Sequence, residues 1–139
     1  MPTLVIGMCS MTITDLGLPG ASATEDELLA FTAARVDEAP AKPKSVIVIE
    51  SMPMTNVGKI YKPELRAMAA SRVVTAIVAQ VCDELGVAQA ARPRVQSEGE
   101  SLVQVRIGAA AAGALATPLQ ERIRTALEPL PFKTRVLVE

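Results

Sequence analysis

The spacing of apolar positions changes period several times along the chain, and each change marks an element. Thr3–Thr12 is rich in β-branched residues and reads as a strand. Leu18-Pro19-Gly20 then makes a turn. Thr24-Glu25-Asp26-Glu27 has the form of a capping box, with the Thr24 hydroxyl on an amide and the Glu27 carboxylate reaching back. The helix it opens should run from Glu25 to Glu38, with Leu28, Leu29, Phe31 and Val36 as its apolar stripe, and Ala39–Pro43 should break it. Ser45–Glu50 is a short apolar run between turn residues and reads as a buried strand. A loop or small hairpin over Pro53–Lys62 follows. Pro63 suits the first position of a helix that continues past, or restarts near, Ser71. Val74, Ile77, Val78, Val81 and Leu85 recur at helical spacing, and Gly86 is a natural stop.

The remaining third repeats the alternation of strand and helix. Residues 91–98 read as a strand. Ser101–Ile107 alternates, with Val103, Val105 and Ile107 on one face and Gln104 and Arg106 on the other. Thr117-Pro118-Leu119-Gln120 combines an N-cap, a first-turn proline and a capping-box glutamine, and Leu119, Ile123 and Leu127 line the helix that follows. Lys133–Val138 is a last strand. Strand, helix, strand over this length suits a crossover unit, right-handed if the strands are parallel. A weak boundary falls between residues 71 and 91, and there is no internal repeat. The expected fold class is α+β, with a first domain over 1–71 and a helix-strand-strand-helix-strand module over 72–139.

Composition narrows the function classes. Half of the 139 residues are apolar, which suffices for a real core, but aromatics make up only 2 % (Phe31, Tyr61 and Phe132). So few rings argue against a stacking platform for nucleic acid, and a net charge of −1 argues against general binding to nucleic acid or membrane surfaces. The charge is unevenly placed. Residues 1–38 carry Arg35 against six acids, whereas residues 42–72 carry Lys42, Lys44, Lys59, Lys62, Arg66 and Arg72 against Glu50 and Glu64. An anionic partner would be received in the second stretch. Cys9 and Cys82 read as reduced core thiols of a cytoplasmic protein. The apolar run Gly108–Ala116 is too short to span a membrane.

Without a histidine, triads that use imidazole as the base are excluded, as are imidazole-ligated metal sites. No metal ligand set is expected. Glu25, Asp26 and Glu27 sit at a helix start, where capping accounts for them. Gly108 and Gly113 have the glycine spacing of a phosphate-binding loop, but Ala114 and Leu115 stand where that loop needs a lysine and a hydroxyl. A flexible alanine-glycine connection is expected instead. Lys59 has a more specialised setting. Gly58 frees the backbone beside it, and Pro53 and Pro63 stiffen the ends of its segment. A compact ammonium on such a turn suits negative charge that develops during a reaction, as when a carboxylate attacks the α-phosphate of a nucleoside triphosphate.

Pro53–Arg66, with Thr55, Gly58, Lys59 and the closing Leu65-Arg66, resembles the last signature of the adenylate-forming enzymes, which include acyl-CoA synthetases, peptide-synthetase adenylation domains and luciferases. Pro19-Gly20-Ala21 with Thr24–Phe31, and Pro43-Lys44 with Val46–Glu50, are similar to the preceding parts of their small carboxy-terminal domain. The resemblance covers about residues 1–70. It implies a truncated carboxy-terminal lid domain over 1–71, followed by an appended α/β module. It also implies Lys59 as the catalytic lysine of ATP-dependent adenylation, ahead of thioester formation with coenzyme A. Gly58, Lys62 and Arg66 become cofactor-binding positions, and Lys62, Arg66 and Arg72 are suited to receive a phosphate of coenzyme A. The implied partners are a carboxylic acid and a large amino-terminal adenylation domain, which would carry the phosphate loop, the acyl pocket and the Mg2+ site. The isolated chain is expected to be inactive. Homo-oligomerisation is open to the appended module. The competing reading is a non-catalytic binding or regulatory module derived from such a domain.

Overall fold

The structure, a computed structural model, describes residues 4–7, 13–15, 23–39, 42–43, 45–49, 51–99 and 102–139. The fold is α+β and divides into two compact units, Met1–Lys62 and Pro63–Glu139. The division lies at Lys62/Pro63. One unbroken helix, Lys62–Glu84, carries the chain through Ser71, so of the two expectations the helix continues rather than restarts there.

In the first unit three strands, β1 (Leu4–Gly7), β2 (Ile13–Asp15) and β3 (Val46–Ile49), form an antiparallel sheet in the order β2-β1-β3. β1 pairs with β2 through Val5↔Thr14 and with β3 through Val5↔Val48. β1 falls within the strand expected over Thr3–Thr12, and β2 is a further strand beyond it; at three residues it is too short to show a period of its own. The Leu18-Pro19-Gly20 turn and Cys9 lie outside the described residues. Val46, Ile47 and Ile49 are buried.

Helix α1 (Glu25–Arg35) stops short of Glu38. The capping box forms as expected: the Glu27 N–H donates to Thr24 Oγ1 (3.2 Å) and the Thr24 N–H to Glu27 Oε2 (2.8 Å). Glu25 has a further task, because its carboxylate accepts the Val48 N–H at 3.1 Å and so ties the helix to β3. Phe31 is not part of the stripe; it is 54 % exposed, and the Arg35 guanidinium lies 3.7 Å from its ring centre. At about 100° per residue, Leu28, Leu29, Thr32 and Val36 share a face and Phe31 falls well to one side of it.

The bonds from the backbone and hydroxyl of Thr24 hold the Glu27 carboxyl below its ordinary range. A lowered folded value means that this capping contributes above the ordinary carboxylate range and is lost as pH falls through the lowered value. The helical signal of α1 should therefore weaken on acidification below about pH 4. Thr24→Ala should weaken the helix at neutral pH and flatten that acid limb, as followed by NMR shifts of residues 25–35.

The second unit is built on α2 (Lys62–Glu84), β4 (Arg94–Glu98), β5 (Leu102–Ile107), the short α3 (Ala109–Ala112), α4 (Ala116–Leu127) and β6 (Lys133–Val138). The sheet order is β4-β5-β6, antiparallel between β4 and β5 and parallel between β5 and β6. α3 and α4 thus form the crossover of a strand-helix-strand unit. One sheet face supplies Val103, Val105 and Ile107 to a core shared with Val74, Val78, Val81 and Cys82 of α2 and Leu119, Ile123 and Leu127 of α4. Gly86, at φ +65°, ends α2 by the paired bonds of a Schellman cap, Val87 N–H to Cys82 C=O (2.8 Å) and Gly86 N–H to Asp83 C=O (3.2 Å).

Three local expectations for this unit change. Gln104 is 6 % exposed rather than solvent-facing, because β5 is the central strand and its polar face is covered by neighbours; the Gln104 amide donates to Glu98. Thr117 is not an N-cap: a 3-10 turn over Gly113–Leu115 leads straight into α4, which begins at Ala116 with no side-chain cap. The Gly108–Gly113 stretch is a helical turn, α3, closed by Gly113 at φ +54°, rather than a flexible connection.

α2 is long and apolar enough, by length and composition, to cross a membrane, with a mean hydropathy of 1.4 in its most apolar window. Its apolar stripe, Val74, Val78, Val81 and Cys82, is one wall of the second unit's core. Burial pushes the Cys82 thiol up, with Arg92 pulling the other way. A protonated, fully buried thiol of this kind packs as a small apolar group.

Candidate functional site

Pro53–Tyr61 closes into a tight hairpin. Met54 and Ile60 form an antiparallel bridge, the Tyr61 N–H donates to the Pro53 carbonyl (2.8 Å), and the Thr55 N–H donates to the Lys59 carbonyl (2.7 Å). The loop is Asn56-Val57-Gly58. The Gly58 N–H returns to the Thr55 carbonyl at 2.9 Å, and Gly58 itself sits at φ +76°. This is a three-residue hairpin loop whose last position is left-handed, the position at which glycine is preferred. The Thr55 hydroxyl accepts the Lys59 N–H (3.0 Å), so side chain and backbone of Thr55 both hold the lysine's peptide in place.

Lys59 therefore has a fixed backbone and a free side chain. It is exposed, and its ammonium forms no ion pair among the described residues. The residues around it are unusually apolar for an exposed turn: Val57 is 79 % exposed, Met54 52 % and Ile60 37 %. The exposed apolar side chains are what water penalises, and the Lys59 ammonium among them can be taken out of water only where an anion offsets its lost hydration. This apolar rim goes beyond the sequence expectation, although Met54, Val57 and Ile60, at every third position around a glycine turn, signal it.

Nothing crowds a Cβ placed on Gly58, so the cost of Gly58→Ala is conformational, about 1–2 kcal/mol. The Thr55 and Tyr61 amides should then exchange with solvent about tenfold faster, while Val105 in the second unit's sheet should not change. Hydrogen exchange read by NMR measures both.

Gly58 and Lys59 lie together in the hairpin. Lys62 and Arg66 are exposed residues of α2, four apart, and so share one face of that helix. Arg72 is also exposed on α2 and is engaged in an interaction of its own. Comparisons of the chain with protein-family models, with curated proteins and with solved structures found no match. The assignment of a function accordingly rests on the hairpin and its chemistry. Among the described residues no group of three or more cysteine or carboxylate side chains could hold a metal ion.

Proposed function

We propose that this chain is the carboxy-terminal part of an adenylate-forming acid–thiol ligase and that Lys59 is the ammonium it supplies. The observation that carries the reading is an exposed lysine, without an ion pair among the described residues, held by its backbone on a glycine hairpin among exposed Met54, Val57 and Ile60. In the first half-reaction a carboxylate oxygen attacks the α-phosphorus of ATP, and pyrophosphate leaves. Two anions must approach, and the Lys59 Nζ between them lowers the repulsion and takes up the charge shared at the transition state. In the second half-reaction the thiol of coenzyme A attacks the acyl carbon and AMP leaves, a step that needs no cation at that place. Lys62 and Arg66, both exposed on α2, are suited to a phosphate of coenzyme A. The nucleotide and acyl pockets belong to a large amino-terminal domain, which makes that domain the obligatory partner.

The test is an adenylation assay with a panel of carboxylic acids. The 139-residue chain alone should give no ATP–pyrophosphate exchange. The same chain joined to a large amino-terminal adenylation domain should give acid-dependent exchange. Turnover by the chain alone would overturn the reading.

A further inference from the structure

We infer that the second unit carries an anion site for a phosphoryl group, built by Arg92, Arg94 and Arg106 at one end of its sheet. These three arginines, with Gly108 and Glu139, line a cavity of about 170 Å³. The room suits one phosphoryl group rather than a whole nucleotide. The site is independent of Lys59 and of the ligase reading.

The arrangement is costly unless an anion joins it. Arg94 and Arg106 stand directly opposite one another in the β4–β5 pairing, where like charges are destabilising. Arg94 is exposed and has no ion pair among the described residues. The other two are held in place. Arg92 pairs with Asp83, and its Nε is buried without a hydrogen-bond partner. Arg106 donates through Nε and Nη2 to Gln104 Oε1 (3.4 and 3.3 Å) and through Nη1 to Glu139 Oε1 (2.9 Å). Gln104 is in turn fixed by Glu98. Arg92 and Arg106 are thus each paired with one carboxylate, and Arg94 has none among the described residues.

The contact between Arg106 and Glu139 also says which anion is favoured. A single carboxylate would only reproduce what Glu139 already does. A phosphoryl group carries more charge and offers three oxygens to planar guanidinium forks. In this view Glu139 is an internal competitor that the ligand displaces.

Titration of the 139-residue chain with inorganic phosphate, at constant ionic strength set by chloride, tests the site by calorimetry and by the side-chain NMR signals of Arg94 and Arg106. One saturable site is expected. Arg94→Gln, an exposed change, should weaken it about tenfold, the loss of one charged hydrogen-bond partner. Glu139→Gln should tighten it. Lys133→Gln, at the far end of the same sheet, should leave it unchanged. Methyl phosphate binding as well as inorganic phosphate would identify a phosphomonoester as the source; binding of inorganic phosphate alone would identify the free ion. A response that does not saturate, an equal loss in Arg94→Gln and Lys133→Gln, or no tightening in Glu139→Gln would overturn the inference.

Discussion

Under the proposed function, Lys59→Ala in the chain joined to a large adenylation domain is expected to lower acid-dependent ATP–pyrophosphate exchange by about 10²- to 10³-fold. That is the scale of losing one pre-organised group aimed at charge that grows in the transition state. Pre-organisation is visible in the hairpin. The Lys59 amide is tied to Thr55 Oγ1 and its carbonyl to the Thr55 N–H, so the backbone does not have to be ordered when the ammonium is delivered. Lys59→Arg keeps the charge but replaces a compact ammonium with a wider planar fork, and should recover only part of the rate. The loss should appear in the rate of exchange at saturating acid. A uniform loss of binding would instead raise the apparent KM alone.

The second large effect concerns the core of the second unit. Ile123→Ala should destabilise that unit by about 2–5 kcal/mol. Ile123 is fully buried on α4 between Leu119 and Leu127, and it belongs to the cluster that includes Val103, Val105 and Ile107. Removing its side chain loses the transfer energy of the deleted methyl groups and leaves a cavity that two helices and a sheet cannot wholly close. A small domain has about 5–15 kcal/mol in all, so the change takes a large share of it. Urea unfolding followed through the β5 and β6 amides should show a lower midpoint with an unchanged slope. Thr125→Ala, exposed two residues further along the same helix, should barely move the midpoint.

The elements that were legible in the sequence are those whose periodicity persists over several turns or pleats. Leu119, Ile123 and Leu127, and Val74, Val78 and Val81, recur at helical spacing and are all buried; Val103, Val105 and Ile107 alternate and are all buried. Local chemistry was equally readable. The Thr24–Glu27 box and the Gly86 stop depend on neighbours within five residues, and both form. Part of what could not be read depends on partners distant along the chain, and part on local geometry that residue type does not show. Gln104 looks like a surface residue until β5 is known to be the central strand. Thr117 looks like a cap until the preceding 3-10 turn is known to run into α4. Phe31 was assigned to the stripe by its apolarity, although its angle on the helix puts it outside.

The candidate site divides along the same line. The Gly58-Lys59 turn is a local feature, and its left-handed glycine follows from three residues of loop. Its apolar rim is also local, carried by Met54, Val57 and Ile60 within the same loop and its flanks. The arginine cluster was not legible, because Arg94 and Arg106 lie on different strands and only the register brings them opposite each other.

The claim that matters most is that Lys59 serves one half-reaction and not the other. It is tested by supplying the Lys59→Ala protein, joined to its large domain, with preformed acyl-adenylate and coenzyme A, and by comparing thioester formation with ATP–pyrophosphate exchange on the same preparation. The expected result is exchange reduced by two orders of magnitude or more, about 10²-fold at least, with thioester formation within a fewfold of the unsubstituted protein. Equal loss in both steps, or loss in neither, would contradict it.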